Sequence, residues 1–167
     1  MPNPPIALRL PASGHPGRTV GLSADLPGTW LLVSRVDVTA AGERHPDPLL
    51  GDDPIALLIY DHTGHFSAQF MKRDRSMVVN EGPLNPGNNT QARSGYDAYF
   101  GTYSVDDKTS MVTQRLLGCL APGNVGMELT RAMEVRGDRL LIRLETTAAD
   151  GVAIVRTLTW RRLHLKR

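Results

Sequence analysis

The sequence lacks most of the features that tie a protein to a membrane or to an oxidising compartment. Its single cysteine, Cys119, excludes an internal disulfide framework, and we interpret it as a small buried residue in a strand. No apolar run approaches the roughly 20 residues that span a bilayer. Residues 1–28 contain several prolines and no continuous apolar segment, which argues against a signal peptide. These absences predict a cytoplasmic protein with no membrane insertion.

The sequence also lacks an excess of charge and the common motifs of cofactor chemistry. Its 19 basic and 17 acidic residues give a formal net charge of +2, and no basic face with aromatic stacking positions is visible, so nucleic-acid binding is not predicted. There is no nucleophile elbow, P-loop or dinucleotide fingerprint, and no cofactor is predicted. His62 and His65 are spaced three apart, but no third ligand has suitable spacing, and we predict no metal site.

What the sequence does contain is a succession of short strands. Its 167 residues are enough for one domain with a substantial core. Residues 1–25 are rich in proline and are predicted to form an arm, followed by a folded domain over residues 26–167. Eight strands are predicted at residues 29–38, 55–60, 65–71, 99–105, 111–120, 127–135, 139–146 and 154–162. Several connections carry Gly, Asp or Asn at turn positions, which indicates an up-and-down antiparallel sheet.

Eight such strands close into a barrel, which removes the exposed sheet edges. Two connections are longer, at residues 39–53 and 72–98, and loops of this length are usually lids or binding loops, or else disordered. Residues 90–98 are predicted to form a short helix that leads into the next strand. The predicted fold is therefore all-β, an eight-stranded up-and-down antiparallel β-barrel with one short helix in a long loop.

Several segments, in the order in which they follow one another along the sequence, resemble segments of one protein family. They are GTW at 28–30, LIYDHTGHFSAQFM at 58–71, DAYFGTYSVD at 97–106, MVTQRLLGCLAP at 111–122, GDRL at 137–140 and LTWRR at 158–162. Together they are similar to the lipocalin-like domain family of small bacterial and fungal β-barrel proteins. The resemblance covers about residues 26–162 and implies a barrel with an internal cavity. Some members of the family lie among secondary-metabolism genes.

One position departs from the family pattern. Members often carry histidine where this sequence has Gln114, and an amide forms hydrogen bonds but does not titrate. Acid–base chemistry that depends on that histidine is therefore in doubt for this chain.

Alternate residues of a barrel strand point inward, so sequence parity predicts which side chains line the interior. Most predicted inward positions are apolar, and Trp30 with Trp160 is predicted to form a hydrophobic floor. Gly101, Gly118 and Leu120 are also placed inward, with the two glycines leaving space for a ligand. In the third strand either Gln69 or Ala68 faces inward, because a slip of one residue inverts the set. The predicted ligand-binding residues are Tyr60, Gln69, Tyr99, Tyr103, Gln114, Arg131 and Arg156.

Each polar position has two interpretations. Arg131 inside a barrel must be paired, since an isolated buried charge is costly. Its partner is either a ligand carboxylate or carbonyl, or else Glu128, Glu134 or a backbone carbonyl. Arg156 likewise needs a partner, which is either a ligand or a group of the protein. Tyr99 and Tyr103 either contact a ligand or are core aromatics whose hydroxyls reach the rim. Gln114 fits a hydrogen-bonding role better than a catalytic one.

The sequence leaves three functions open. In the first, the barrel binds a small apolar metabolite with a polar group, as a carrier or sensor, and Arg131 with Tyr103 orients the polar end. In the second, it is a cofactor-independent secondary-metabolism enzyme, a cyclase, isomerase or hydro-lyase acting on a polyketide- or terpenoid-like substrate. In the third, the interior is filled and the barrel pairs with another protein. A cavity of several hundred Å³ is expected for the first two. The oligomeric state stays open.

Overall fold

The structure, a computed structural model, describes residues 21–76 and 92–164. Within these ranges eight antiparallel strands form a closed barrel in which each strand pairs with its sequence neighbour and β8 pairs with β1. The predicted all-β barrel is confirmed. The strands are β1 Gly28–Thr39, β2 Ile55–Tyr60, β3 His65–Met71, β4 Tyr96–Asp106, β5 Met111–Cys119, β6 Glu128–Arg136, β7 Arg139–Thr147 and β8 Ala153–Arg162.

In the later strands, every second residue points into the barrel, as predicted from the sequence. In β8 the buried residues alternate with partly exposed ones, and in β7 Leu140 and Ile142 are buried while Arg143 and Glu145 are exposed. Tight turns connect β6 to β7 and β7 to β8 without an irregularity in the pairing, so the alternation persists from end to end. Apolar burial along these strands supplies the main stabilisation of the fold. The buried residues of β8 are Ile154, Arg156, Leu158 and Trp160.

The short helix lies elsewhere than predicted. A single turn of helix, α1 (Leu22–Asp25), precedes β1, and a 3₁₀ turn at Pro122–Asn124 follows β5. Residues 92–95 form a turn and a bridge, and residues 96–98 already belong to β4, so the described part of the predicted helix at 90–98 is not helical. Residues 96–98 extend β4 at its start and pair with β3. The hydrogen bonds of this strand ladder replace the predicted helical ones.

A bulge in β5 overturns two inward placements. Phe100 pairs with Gly118 and Gly101 pairs with Leu116, so Leu117 is extra and the parity reverses beyond it. Leu120 is exposed, and Gly118 faces outward, where a Cβ would contact the Phe100 ring. Gly101 does face inward, but a Cβ there would lie 1.8 Å from the carbonyl oxygen of Arg115. Glycine at 101 therefore permits the close approach of two strands, and neither glycine serves to leave space for a ligand.

The pairing of β2 with β3 settles the orientation of the third strand. Leu58 pairs with Ala68, and both are buried, whereas Gln69 pairs with Leu57 on the outer face. The Gln69 amide donates a hydrogen bond of 2.6 Å to the Ser67 hydroxyl on the same face. The prediction that Gln69 lines the interior is therefore wrong, because the hairpin register directs it outward.

One end of the barrel, which we call the helix end, is covered by α1 and the residues next to it. Leu26 and Trp30 are fully buried there, and the Trp30 Nε1–H donates to the Leu26 carbonyl at 3.0 Å. The Arg162 guanidinium lies 4.1 Å from the centre of the Trp30 ring and donates to the Pro27 carbonyl. Ser23 in α1 binds the Asp107 carboxylate of the β4–β5 turn through its backbone N–H and its hydroxyl. The helix end is thus sealed by paired groups.

Parts of the predicted organisation lie outside the described residues. These are most of the arm, the central part of the long 72–98 connection and residues 165–167, and the domain boundary near residue 25 stays a prediction. Among the helices within the described ranges, none is long and apolar enough to cross a membrane.

Candidate functional site

Three of the predicted interior residues form one hydrogen-bonded chain. Arg131 of β6 donates through Nη1 to the Gln114 Oε1 of β5 at 2.9 Å, and the Gln114 amide donates to the Tyr60 hydroxyl at 2.7 Å. The Tyr60 hydroxyl in turn lies 3.7 Å from the Met133 sulfur, to which it donates. Burial raises the pKa of Tyr60 well above its usual value, so its hydroxyl stays protonated. Gln114 therefore orients Arg131 by accepting from it while donating to tyrosine.

Arg131 is the most unusual member of this chain. It is only 6% exposed, and its one hydrogen bond to the described residues goes to a neutral amide. Glu128 and Glu134, the carboxylates considered from the sequence, are both exposed, and Glu134 pairs with Arg136 instead. Among the described residues, no carboxylate lies within ion-pair distance of Arg131. A buried guanidinium without a counter-ion costs several kcal/mol.

Arg131 faces a small cavity inside the barrel. The cavity has a volume of about 20 Å³, which is room for a single water molecule. This is far below the several hundred Å³ expected from the sequence, so a larger ligand would have to shift the side chains that line this space. Its lining residues are Arg35, Phe70, Tyr99, Arg131, Leu144, Arg156 and Leu158.

The two predicted tyrosines of β4 have different surroundings. The Tyr103 hydroxyl donates to the Asp61 carbonyl at 2.7 Å, and its ring packs edge-on against Tyr60 with the centroids 4.8 Å apart. Tyr103 is therefore a core aromatic whose hydroxyl reaches the rim of the helix end. Tyr99 lines the cavity together with Arg131, and within the described residues its hydroxyl has no hydrogen-bond partner. Burial raises the pKa of Tyr99, so it too presents a neutral hydroxyl.

Beyond the cavity lies a cluster of buried charges that the sequence reasoning mostly missed. We call it the charged end of the barrel, formed by Arg35, Asp37, Asp47, Asp97 and Arg156. Arg156 binds Asp37 through two parallel hydrogen bonds of 2.9 and 2.8 Å. Arg35 donates through Nη2 to Asp37 at 3.1 Å and also to the Asp47 carboxylate. The question of the partner of Arg156 is thus answered by Asp37, directly across the β1–β8 ladder.

A bulge in β1 explains how two charged residues of that strand come to face inward. The β1–β8 register shifts between Leu32 and Ser34, so the buried set that starts at Trp30 continues at Arg35 and Asp37. Simple alternation from Trp30 would have turned these two residues outward. The signal that was present is Arg156, because an arginine predicted to face inward demands an acidic residue on a neighbouring strand.

Asp47 joins the cluster from the loop between β1 and β2. Its second carboxylate oxygen accepts hydrogen bonds from the backbone N–H groups of Leu49 and Leu50, at 2.9 and 2.8 Å. This turn buries Leu50 beneath the loop and holds the carboxylate over Arg35. No periodicity in a loop indicates such an inward aspartate, so Asp47 could not be identified from the sequence pattern.

Asp97 is the carboxyl group that differs from the other two. It is 1% exposed, and its Oδ2 has no hydrogen-bond partner among the described residues. Burial raises the pKa of Asp97 to about 7, aided by the Asp47 carboxylate and opposed by the Ala98 N–H and by Arg35 and Arg156. Asp97 lies two residues before Tyr99 on the same face of β4. It was missed because the predicted strand began at residue 99 and not at Tyr96.

Asp37 shows the opposite electrostatic balance. Burial alone would raise its pKa, but the hydrogen bonds and charges of Arg156 and Arg35 outweigh burial and hold the pKa of Asp37 below its usual value. The charged end therefore contains one carboxylate that stays ionised and one carboxyl group, Asp97, that titrates near neutral pH.

The remaining predicted positions do not extend this site. His62 and His65 lie in the β2–β3 turn region, where the exposed His65 ring hydrogen-bonds with the Thr63 hydroxyl at 2.8 Å. In the part of the chain that the structure describes, no three His, Cys, Asp or Glu side chains form a group that would hold a metal ion. The structure therefore brings together Tyr60, Gln114 and Arg131, places Tyr99 and Arg156 around the same cavity, and leaves Tyr103 at the rim and Gln69 outside.

The fold agrees with the comparison to known families. The family model described as a lipocalin-like domain matches residues 27–163, which span all eight strands. No curated protein matches the sequence.

Proposed function

Because the chain belongs to the lipocalin-like domain family, we propose that it is a carrier or sensor that binds a small, mostly apolar molecule bearing a carboxylate or carbonyl group. The polar group of this ligand is bound by Arg131 inside the barrel. The observation that carries the proposal is the Arg131 guanidinium, which is buried, faces a cavity and, among the described residues, is hydrogen-bonded only to an amide. A negatively charged or carbonyl oxygen would supply the missing partner.

The surroundings of Arg131 favour such a ligand. Phe70, Leu144 and Leu158 form an apolar wall of the cavity, and the Tyr99 hydroxyl offers a second hydrogen bond to the same polar group. A few polar groups within an apolar lining are the usual composition of a small-molecule site. Because the cavity is water-sized, ligand entry requires rotation of the apolar side chains, and the guanidinium supplies the interaction energy that compensates for this change.

A cofactor-independent enzyme remains the alternative, acting as a cyclase, isomerase or hydro-lyase. One observation favours it, the buried Asp97 carboxyl group whose pKa of about 7 suits proton transfer. However, Asp97 does not line the cavity that Arg131 faces. A general acid or base must lie within hydrogen-bond reach of the atom it serves, so we place binding first.

The proposal is tested with dansylundecanoic acid, a fluorescent fatty acid, and with a dansylated fatty amine of matched length. We expect the acid to bind and the amine to bind at least tenfold more weakly, about 1.4 kcal/mol, because a guanidinium discriminates by charge. Arg131→Gln should remove this preference, whereas Arg143→Gln on the outer face of β7 should retain it. Equal binding of acid and amine by the unaltered protein, or an unchanged preference in Arg131→Gln, would overturn the proposal. Native mass spectrometry of the purified protein then identifies any ligand retained from the cell.

A further inference from the structure

The interior holds equal numbers of arginine and aspartate side chains among the described residues. Three guanidinium groups and three carboxyl groups are each at most 6% exposed, so these six described groups are electrically balanced only when every aspartate is ionised. When one carboxyl group takes up a proton, the interior gains one positive charge. These six residues are Arg35, Arg131, Arg156, Asp37, Asp47 and Asp97.

The three carboxyl groups are not equally bound. Both oxygens of Asp37 pair with guanidinium groups, and Asp47 is held by Arg35 and by two backbone N–H groups. Asp97 accepts only from the Ala98 N–H, and its Oδ2 is buried without a partner within the described ranges. Asp97 is thus the carboxyl group that gives up its charge at the least cost.

Asp97 is also electrostatically connected to the proposed ligand site. Arg35 and Arg156, which line the cavity, both act on the Asp97 carboxylate, and Tyr99 experiences the charges of Asp97 and Arg131 together. A ligand carboxylate in the cavity would add a second negative charge to these same guanidinium groups. Two carboxylates that share one set of cations in a low-dielectric interior raise each other's proton affinity.

Building on the proposed function, we propose that binding of an anionic ligand at Arg131 is coupled to protonation of Asp97, so that the protein takes up a proton as it takes up the ligand. The ligand carboxylate replaces the Asp97 carboxylate as the counter-charge of the interior guanidinium groups. The reaction transfers one proton from solvent to Asp97, and no covalent bond of the ligand changes. The protein therefore binds a carboxylate more tightly where the pH is lower.

The direction of the pH dependence follows from the groups that face Asp97. In the ligand-free protein Asp97 titrates at about pH 7, and a bound anion moves this titration to higher pH. The affinity for the ionised form of the ligand is then constant below about pH 6 and falls up to about tenfold per pH unit above about pH 7. Asp37, with its lowered pKa, stays ionised, and Tyr99, with its raised pKa, stays neutral over this range. Asp47 stays engaged with Arg35 and the loop N–H groups.

Titration calorimetry with dansylundecanoic acid tests the coupling. Measured at about pH 8 in buffers of different ionisation enthalpy, the full chain should take up close to one proton per ligand. Asp97→Asn imitates the protonated state, so this variant should take up almost none and bind about tenfold more tightly than the unaltered protein at that pH. Asp138→Asn, an exposed aspartate at the β6–β7 turn, should leave both quantities unchanged.

The outcomes separate this coupling from the proposed function. Binding without proton uptake, or proton uptake that persists in Asp97→Asn, overturns the coupling and leaves the proposed function intact. If the probe fails to bind even at about pH 6, where Asp97 is protonated, the proposed function fails and the coupling fails with it. The carboxyl-carbon resonance of Asp97 gives a check that needs no variant. It should titrate near pH 7 in the free protein and about two units higher with the probe bound, and an unmoved midpoint contradicts the coupling.

Discussion

The helix end and the charged end of this barrel use arginine in different ways. At the helix end Arg162 stacks on Trp30 and donates to backbone carbonyls, so the guanidinium closes the fold with no acidic partner in the described ranges. At the charged end Arg35 and Arg156 are bound by carboxylates, while Arg131 between the two ends has only an amide as a partner within the described part of the chain. Arg35, Arg156 and Arg162 therefore have partners that stabilise the fold. The burial of Arg131 is not explained by such a partner among the described residues.

The largest expected effect comes from removing the carboxylate that both charged-end arginines share. Asp37→Ala leaves Arg156 without its bidentate partner and should lower the free energy of unfolding by about 3–5 kcal/mol, because it leaves an uncompensated buried charge. Denaturant unfolding near neutral pH measures this. Asp53→Ala, which breaks an exposed ion pair with Arg73, serves as the control and should cost less than about 1 kcal/mol. A loss as small as that of the control would show that Asp37 does not hold the charged end together.

Asp97→Asn, in contrast to Asp37→Ala, should raise the free energy of unfolding. The folded-state pKa of Asp97 is raised to about 7, so its contribution to stability is complete below about pH 4 and is lost as the pH rises towards 7. The asparagine variant does not ionise and should be more stable than the unaltered protein by about 2–4 kcal/mol at about pH 8, with the difference vanishing near pH 4. Denaturant unfolding of both proteins, measured across this pH range, checks which one is more stable and how the difference in the free energy of unfolding changes with pH. A variant that is less stable at about pH 8 would mean that the Asp97 carboxylate is a needed counter-charge.

Tyr99 and Tyr103 of β4 form the matched pair with the smallest effects. Tyr103→Phe removes the hydrogen bond to the Asp61 carbonyl and should cost about 1 kcal/mol of stability. Tyr99→Phe removes a hydroxyl that has no partner among the described residues and should change stability by less than about 0.5 kcal/mol. It should weaken binding of dansylundecanoic acid instead. The reverse pattern, with Tyr103→Phe weakening binding at unchanged stability, would move the ligand site towards the helix end.

The parts of the molecule that the sequence predicts well are those with regular alternation. The faces of β6, β7 and β8 follow parity because tight turns and unbroken ladders preserve it, and this places Arg131 and Arg156 inward. Parity fails where one residue is inserted. The bulge at Leu117 turns Gly118 outward, and the shift after Leu32 turns Arg35 inward.

The charged end was mostly hidden from the sequence for three physical reasons. A bulge is a local backbone choice that no hydrophobic period reveals, and it decides the orientation of Arg35 and Asp37. Strand boundaries read from a sequence are imprecise by a few residues, which excluded Asp97 from β4. A loop such as the one that carries Asp47 has no period at all. The charge of Arg156, placed inward by parity, was the available sign that acidic partners lay nearby.

The proposed function requires that the charge of Arg131 serves a ligand and not the fold. The stability of Arg131→Gln at neutral pH tests it most directly, because the substitution removes a buried charge that lacks a counter-ion among the described residues. We predict a free energy of unfolding equal to that of the unaltered protein or up to about 2 kcal/mol higher. A loss of about 3 kcal/mol or more, comparable to that expected of Asp37→Ala, would show that Arg131 is a structural arginine and would contradict the account.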